Sequence, residues 1–260
     1  MNILLNILVA VLSLIFGYLI GSANISIPLG KLIFKQDPRD YGSHNCGATN
    51  CGRIWGKKYF FIVFFFDVFK TVSPLYICWA ILTFVPFNNG MPLLPNALQM
   101  YNGEVGNYLI QWPIYWVAPI GSLLGGIFPL FTGFRGGKAV SNLSGLILTT
   151  TWFMTIFGAI AFFGTLFKSK YVSLSSIVTG IVLFVCTWVY SSLITFHVIP
   201  LELMVIFQYG PLFYFNYVFA IVITIQATVM IIRHHENINR LRAGNEKKVK
   251  WIKSKEKVEN

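Results

Sequence analysis

The chain has 260 residues, of which 55% are hydrophobic and 11% are charged. Because a soluble globular domain carries about 25% charged residues, this composition excludes a soluble protein and makes lipid the solvent for most of the surface. The formal net charge of +11 would suit nucleic acid, but in a membrane protein Lys and Arg accumulate in cytoplasmic loops, so we expect no nucleic-acid partner.

Six apolar runs have about the length of roughly 20 residues that crosses the hydrocarbon of a bilayer. They are residues 3–30, 59–86, 110–131, 139–167, 171–199 and 203–232. The N-terminus lacks a positively charged region and a cleavage site, so the first run is predicted to be a membrane helix and not a removed signal peptide.

The distribution of Lys and Arg predicts the orientation. Neither residue occurs between Lys70 and Arg135 or between Lys170 and Arg233, so these intervals should contain the external loops. All basic clusters fall on one side only if 139–167 enters and returns as a short hairpin of two helices, at least one of them a partial span. The sequence therefore predicts an all-α integral membrane protein with about seven transmembrane segments, its N-terminus outside and its C-terminus cytoplasmic.

The predicted domain organisation is a single membrane bundle over 1–245, followed by a basic cytoplasmic tail over 246–260. The tail holds six lysines and Trp251, which fits either a solvated segment or one that docks on anionic lipid headgroups. Residues 87–109 form a predicted external loop without recognisable chemistry.

The first polar segment, from Asp37 to Arg53, is rich in glycine and small polar residues. Its candidate anion-binding groups are the hydroxyl and amide side chains of Ser43, Asn45 and Asn50. Arg53 adds a planar cation that suits a phosphate group. Their density beside a membrane indicates an oxyanion site.

The second polar segment contains Gly136, Gly137 and Lys138 immediately before an apolar run. Backbone N–H groups released by glycines, a helix N-terminus and a lysine together predict a phosphate cradle. The segment is not a Walker A loop, because Ala139 stands where that motif requires Ser or Thr.

The third polar segment begins at Arg233 and follows the last apolar run. His234 and His235 diverge by about 100° on a helix and cannot hold one metal ion together, whereas His234 and Asn237 share a face. With Cys46 and Cys51 lacking a second cysteine pair nearby, we predict no metal site and no disulfide framework.

Two smaller features lie outside these segments. Asp67 and Lys70 stand three residues apart within an apolar run, where charges are costly, and fit either a functional pair or a simple ion pair. Ser173 and Ser176 follow the basic turn 168–170 and fit either helix caps or ligands.

Taken together, the three segments resemble the PlsY-type acyl-phosphate:glycerol-3-phosphate acyltransferases of bacteria. The stretches that carry the resemblance are Gly21-Ser-Ala-Asn24, Gly42 to Asn50 with Arg53, Asp67-Val-Phe-Lys70, Phe128-Pro129, Phe134-Arg-Gly-Gly-Lys138, Tyr171 to Ser176, and Arg233-His234 with Asn237, Arg240, Gly244 and Glu246.

The resemblance implies a seven-helix enzyme of the bacterial cell membrane that transfers a fatty acyl group from acyl phosphate to glycerol 3-phosphate and forms lysophosphatidate. It implies no cofactor, no metal and no obligate protein partner; membrane lipids surround it. Five residues would form the catalytic set, namely Ser43, Arg53, Lys138, His234 and Asn237. Six more would contribute to binding the substrate phosphates, namely Asn45, Asn50, Gly136, Gly137, Ser173 and Ser176.

The chain departs from the family pattern at three positions. Gly126 replaces a common histidine, and His44 and Ala139 replace common glycines. These departures leave an inactive family member as one alternative. Another is a transporter of anions or phosphate esters, which would require glycine-rich breaks near the bilayer midplane and usually an internal repeat.

Overall fold

The computed structural model describes residues 3–88, 91–92, 114–196, 198–199 and 217–249. Most of the predicted loop 87–109, residues 203–216 of the last apolar run and the end of the basic tail lie outside this part. We number the helices α1 (Ile3–Gly21), α2 (Ser26–Leu29), α3 (Ala48–Trp55), α4 (Lys57–Phe84), α5 (Val117–Ile127), α6 (Val140–Thr150), α7 (Trp152–Ser169), α8 (Val172–Thr195), α9 (Tyr217–Ile232) and α10 (His235–Arg242).

Short elements connect these helices. A π-helical turn, Gly30–Phe34, continues α2, and 3-10 turns lie at Pro38–Asp40, Ile114–Trp116 and Leu130–Thr132. Two short antiparallel strands follow α4, β1 (Pro86–Asn88) and β2 (Met91–Pro92).

Five helical segments of the described chain are long and apolar enough to cross a membrane, and α9 with α10, bent by 52°, would make a sixth. The predicted all-helical membrane fold is therefore confirmed. The count of seven segments and the orientation of the termini stay predictions.

The bundle is packed inside and apolar outside, as lipid requires. Leu75, Leu146, Leu183 and Phe219 lie in one buried core that joins α4, α6, α8 and α9. On the outer faces of α1 and α7, by contrast, large apolar side chains are exposed, for example Ile160 at 66%. In water such faces would be costly, whereas in a bilayer acyl chains cover them.

Helices α1 and α5 approach so closely that their backbones touch. The contact is made by two glycines on each helix, four residues apart and therefore on one face: Gly17 and Gly21, Gly121 and Gly125. A Cβ atom on Gly17 would lie 2.1 Å from the carbonyl oxygen of Ala118, and one on Gly121 would lie 2.1 Å from that of Leu14. Small residues at this spacing are a common means of close helix association in lipid.

The run 139–167 contains two helices, α6 and α7, in agreement with the predicted hairpin. The chain breaks at Thr151, whose backbone is extended (φ −146°, ψ 113°). The segments before α6 and after α7 lie at the same end of the bundle, because Lys138 bonds to Asn237 and Asn237 is linked through Glu246 to Ser173. With 11 residues, α6 is about half as long as a full crossing needs.

The break between α6 and α7 is buried, and side chains satisfy its backbone. Thr151 Oγ1 accepts a hydrogen bond from the Met154 N–H (3.2 Å), which caps α7. The Tyr76 hydroxyl donates to the carbonyl oxygen of Thr149 (2.7 Å) at the end of α6. Non-helical backbone at membrane depth is tolerated when protein groups bond to it in this way.

The glycine contact gives a prediction for stability. In Gly121→Leu the new side chain meets the backbone of α1, which has no side chain to rotate away, so we expect a loss of at least about 3 kcal/mol, or a melting temperature lower by about 6–12 °C. Thermal unfolding of the purified protein in detergent measures it. Gly164→Leu on α7 is the matched control, since a Cβ there meets nothing within 4 Å. Equal melting temperatures for the two variants would contradict the close contact.

Candidate active site

The three polar segments meet at one end of the bundle. Lys138 of the second segment donates a hydrogen bond to Asn237 Oδ1 of the third. The first segment touches the second, because a Cβ on Gly137 would lie 3.9 Å from Asn45 Oδ1. The Arg39 guanidinium also donates to the carbonyl oxygen of Thr132 (2.8 Å). Residues almost 200 positions apart in the sequence thus form one cluster.

The first segment is folded around the buried side chain of Asn50. Its amide nitrogen donates to the carbonyl oxygens of Pro38 (2.8 Å), Tyr41 (3.0 Å) and Asn45 (2.8 Å), and its amide oxygen accepts from the Ser43 N–H (2.7 Å). Both polar atoms of the amide therefore bind the loop. Asn50 shapes the segment that presents Ser43 and Asn45.

The second segment is built on the last turn of α5. The Gly136 N–H donates to the carbonyl oxygen of Ile127, and the Gly137 N–H to that of Gly126, both at 3.0 Å. A Cβ on Gly136 would lie 2.2 Å from the Gly126 oxygen, so this position requires glycine. These two N–H groups close the loop and fix Lys138, and the first turn of α6 supplies the unbonded N–H groups that every helix start has.

Lys138 lies in a strongly charged environment. Its pKa is lowered to about 8, mainly by burial and to a smaller extent by Arg240 and Arg53, while Glu246 and Glu236 oppose the shift. At neutral pH the ammonium group is therefore still mostly protonated. A partly desolvated cation binds an anion more strongly than an exposed one does.

His234 is buried in the turn between α9 and α10. Its Nδ1 lies 2.7 Å from the carbonyl oxygen of Met230, and because a carbonyl only accepts, Nδ1 carries the proton and Nε2 keeps a lone pair. The His234 pKa is lowered to about 4, mainly by burial and to a smaller extent by Lys138, while the Met230 hydrogen bond and Glu246 oppose the shift. The imidazole is neutral at physiological pH.

Glu246 connects the third segment to α8. Its Oε1 accepts from Ser173 Oγ (2.8 Å) and Asn237 Nδ2 (2.7 Å), and its Oε2 accepts from Arg240 Nε (2.7 Å). Burial raises the pKa of this carboxyl, but the hydrogen bonds from Arg240, Asn237 and Ser173 outweigh burial and hold it below the ordinary value. Glu246 is therefore ionised and fixes three polar groups at once.

Arg53 completes the charge arrangement from α3. It is exposed, and partial desolvation and Arg240 lower its pKa while Glu246 opposes the shift. Three cations, Arg53, Lys138 and Arg240, thus share this region with two carboxylates, buried Glu246 and exposed Glu236, which lies 3.8 Å from Arg240. The cluster keeps an excess of positive charge, as an anion-binding site requires.

The remaining predicted residues have more local contacts. Ser176 Oγ donates to the carbonyl oxygen of Val172 within its own helix (3.0 Å). Asp67 and Lys70 form a 2.7 Å ion pair inside the bundle, and Lys70 also donates to the carbonyl oxygen of Ala23 (3.2 Å) beyond the end of α1. This pair joins α4 to α1 and is separate from the Lys138–Asn237–Glu246 network.

Sequence reasoning did not assign Glu246 and Arg240 to the site. Both were among the residues that carry the family resemblance, but Glu246 was placed at the start of the basic tail. The sequence feature that could have indicated this role is an acidic residue at the start of a segment with six lysines, two positions after Gly244. Gly244 has a φ of +72°, and at this turn the chain reverses towards the bundle. The described start of the tail indeed contacts the bundle, since Lys247 donates to the Gly42 oxygen (3.0 Å) and the Val249 N–H to the Lys170 oxygen (2.9 Å).

The structure gives a physical account of two departures from the family pattern. His44 and Ala139 both have left-handed backbone conformations, with φ of 57° and 61°, which glycine adopts without steric cost. His44 is exposed, and Ala139 directly precedes α6. The third departure, Gly126, faces α6, where a Cβ would lie 3.2 Å from Asn142 Oδ1.

Comparison with known proteins identifies the family of this chain. The family model described as glycerol-3-phosphate acyltransferase matches residues 11–244, which include all three polar segments up to the turn before Glu246. The chain belongs to this family.

Two relatives in the glycerol-3-phosphate acyltransferase family show how far the similarity extends. The glycerol-3-phosphate acyltransferase of Mycoplasmopsis synoviae (strain 53) is 32% identical over 254 residues, covering 97% of this chain and 100% of the relative. That of Staphylococcus carnosus (strain TM300) is 34% identical over 242 residues, covering 93% of this chain and 98% of the relative.

The fold is similar to that of PlsY (YgiH), an integral membrane glycerol 3-phosphate acyltransferase. The crystal structure of its glycerol 3-phosphate form aligns with a TM-score of 0.67 and 28% identity, covering 92% of this chain and 95% of that one. Its lysophosphatidic acid form aligns with a TM-score of 0.65 and 27% identity, covering 92% and 94%.

Proposed function

We propose that the chain is a bacterial membrane enzyme that transfers a fatty acyl group from acyl phosphate to glycerol 3-phosphate and releases lysophosphatidate. The observation that carries this proposal is the convergence of Lys138, Asn237, Glu246 and Arg53 from separate segments at one end of the bundle, in a member of the glycerol-3-phosphate acyltransferase family. Both substrates are anions, and the cluster holds excess positive charge.

The chemistry requires positioning more than a covalent nucleophile. Phosphate is a good leaving group, so the acyl carbon is already activated, and a hydroxyl held against it can attack directly. In this proposal Ser43, Arg53, Lys138, His234 and Asn237 hold the two phosphates. Arg53 and Lys138 neutralise the charge that develops on the departing phosphate.

Supporting residues set this arrangement. Asn45 lies beside Gly137 and would contact a substrate phosphate, whereas Asn50, Gly136 and Gly137 shape the two loops. Ser173 acts through Glu246, and the hydroxyl of Ser176 bonds within α8. The location of the cluster at one end of the bundle supports an enzyme over the alternative transporter, whose polar breaks would lie near the midplane.

The choice of donor tests the proposed reaction. We expect purified protein to convert acyl phosphate and radiolabelled glycerol 3-phosphate into labelled lysophosphatidate without added metal, and a chelator to have little effect. Thin-layer chromatography of the lipid products measures it. A preference for acyl-CoA would contradict the proposed donor, and no product from any donor would favour an inactive family member.

Lys138 and Arg53 provide a test of the phosphate site. Removing either cation leaves a phosphate insufficiently neutralised in a partly desolvated site, so Lys138→Ala and Arg53→Ala should each lower kcat/KM by about 30- to 1,000-fold. Arg53→Lys keeps the charge but loses the bidentate geometry, so it should recover only part of the loss. Steady-state kinetics with both substrates provide the measurement.

Lys168→Ala is the control for these variants, because Lys168 lies at the end of α7 in a basic turn that mainly determines orientation. All variants are compared at equal abundance and melting temperature. If Lys138→Ala or Arg53→Ala were as active as Lys168→Ala, the assignment of that cation to a phosphate would be wrong.

The proton of the attacking hydroxyl should go to a phosphate oxygen of a substrate. With a pKa of about 4, neutral His234 is a weaker base than a phosphate dianion, whose second pKa is about 6. Activity should therefore fall as the pH drops through about 6, and His234→Gln should lower the rate but keep this acidic limb. The pH profile of kcat/KM measures it. Loss of the limb in His234→Gln would instead identify the imidazole as the base.

We also propose seven membrane segments, with the N-terminus outside and the polar cluster and C-terminus in the cytoplasm. The support is that the basic residues Arg53, Lys138 and Arg240 gather at one end of the bundle. Single cysteines introduced at Met100 should react with a membrane-impermeant maleimide in intact cells, whereas those at the exposed positions Arg135 and Asn245 should not. Labelling of Lys168→Cys from outside would disprove the proposed topology.

A further inference from the structure

The loop that leads from α5 to Lys138 exposes much apolar surface. Between Phe128 and Arg135, four large side chains are 44–65% exposed: Phe128, Leu130, Phe131 and Phe134. The loop follows the buried helix α5, and its residues 128–132 form the end of the candidate membrane span Ile114–Thr132. A concentrated exposed apolar patch at such a position marks an interaction surface.

Backbone contacts hold this loop in a defined position. The Tyr18 hydroxyl at the end of α1 donates to the Phe128 oxygen (3.0 Å). The Arg39 guanidinium donates to the Thr132 oxygen (2.8 Å). The apolar side chains are therefore presented outward by a fixed frame.

Phe134 has an unusual backbone conformation, in a turn closed by the hydrogen bond from its N–H to the Pro129 oxygen (3.0 Å). Its φ is +58°, in the left-handed region, where a bulky side chain is rare and glycine is favoured. Yet its side chain is 55% exposed, so burial within the protein does not offset the strain. Strain of this kind is found where an outside interaction uses the side chain.

Two arginines accompany the patch. The Arg233 guanidinium carbon lies 6.0 Å from the centre of the Phe128 ring, and Arg233 Nε is buried without a hydrogen-bond partner among the described residues. Arg135, at the end of the loop, is exposed. Guanidinium groups bind phosphate in a bidentate manner, and cations beside exposed aromatic rings are typical of surfaces at the boundary of headgroups and acyl chains.

We propose that the loop 128–135 inserts Phe131 and Phe134 among the acyl chains of the adjacent leaflet, and that Arg135 and Arg233 bind the headgroup phosphates of anionic phospholipids there. The occupant is a bilayer phospholipid because the loop continues a candidate membrane span that already lies in lipid, and because acyl phosphate, which also has an acyl chain and a phosphate, is assigned to the separate cluster around Lys138. Since Gly136 and Gly137 connect this loop rigidly to Lys138, the insertion fixes the depth of Lys138 relative to the headgroups.

Photo-crosslinking tests the insertion without using activity, so its failure is separate from failure of the proposed reaction. The full chain is reconstituted in nanodiscs, with p-benzoylphenylalanine replacing Phe131 or Phe134, and lipid adducts are measured by intact mass. Phe163 on α7, 49% exposed, is the positive control, and Tyr41 of the first polar segment, 45% exposed, is the comparison. We expect adduct yields near that of position 163 and several-fold above that of position 41. A yield at either loop position no higher than at position 41 overturns the insertion.

The lipid composition of the adducts tests the arginines. In an equal mixture of phosphatidylglycerol and phosphatidylcholine, adducts at position 131 should be enriched about fivefold in phosphatidylglycerol, and adducts at position 163 should not. Arg135→Gln and Arg233→Gln should each reduce the enrichment, provided that the adduct yield at position 163 shows an intact fold; if Arg233→Gln does not fold, Arg135→Gln decides. Equal adducts with the two lipids in the wild-type protein, or an enrichment that neither substitution reduces, overturns the binding of anionic phospholipids by these arginines.

Discussion

The direct backbone contact between α1 and α5 is the constraint on which the polar cluster depends. Four glycines permit it, and the end of α5 then provides the carbonyl oxygens of Gly126 and Ile127 that hold Gly137 and Gly136. Lys138 is the next residue after Gly137. Its position is therefore determined by the contact between α1 and α5, and not by the loop alone. A side chain at the contact would move α5 and the bound loop together, because interiors packed this closely transmit displacement.

A buried carboxylate in a site for anions is an apparent conflict, and the hydrogen-bond geometry accounts for it. Glu246 would repel a phosphate, but without it Arg240, Asn237 and Ser173 would lose the acceptor that orients all three. Three cations with the two carboxylates Glu246 and Glu236 still leave net positive charge. The carboxylate thus weakens the attraction of the cluster for a phosphate but fixes the positions of its polar groups. Fixed positions favour catalysis, because preorganised charges stabilise a transition state without reorganising.

The sequence was sufficient to predict what depends on composition and charge. The length of the apolar runs predicted membrane helices. The positions of Lys168 and Lys170 predicted that residues 139–167 form a helical hairpin, and the structure has a break between two helices at Thr151. The three polar segments were found because glycine, amide and basic residues are rare beside apolar runs. The meeting of Lys138 and Asn237 was implied only by the family resemblance, since helix packing over 99 residues leaves no local signal.

What the sequence could not show is which polar atoms remain available to a ligand. Asn50 and the N–H groups of Gly136 and Gly137 were predicted to bind phosphate, but in the structure they bond to the protein. The residue types that bind anions also close tight loops, and only three-dimensional geometry separates the two uses. The same limit concealed the glycine contact, although GxxxG occurs at Gly17–Gly21 and at Gly121–Gly125, because the motif has a physical meaning only when the partner helix is known.

The short helix α6 links the membrane fold to the cluster. A full crossing after Lys138 would carry the chain to the far end of the bundle, and α8 with Ser173 would then begin there. By ending at Thr150 within the bundle and returning as α7, the chain brings Ser173 to Glu246 and hence to Asn237 and Lys138. The buried turn requires its own hydrogen bonds from Thr151 and Tyr76, since lipid supplies none. The polar groups inside the bundle are thus part of what holds the charged groups together at its end.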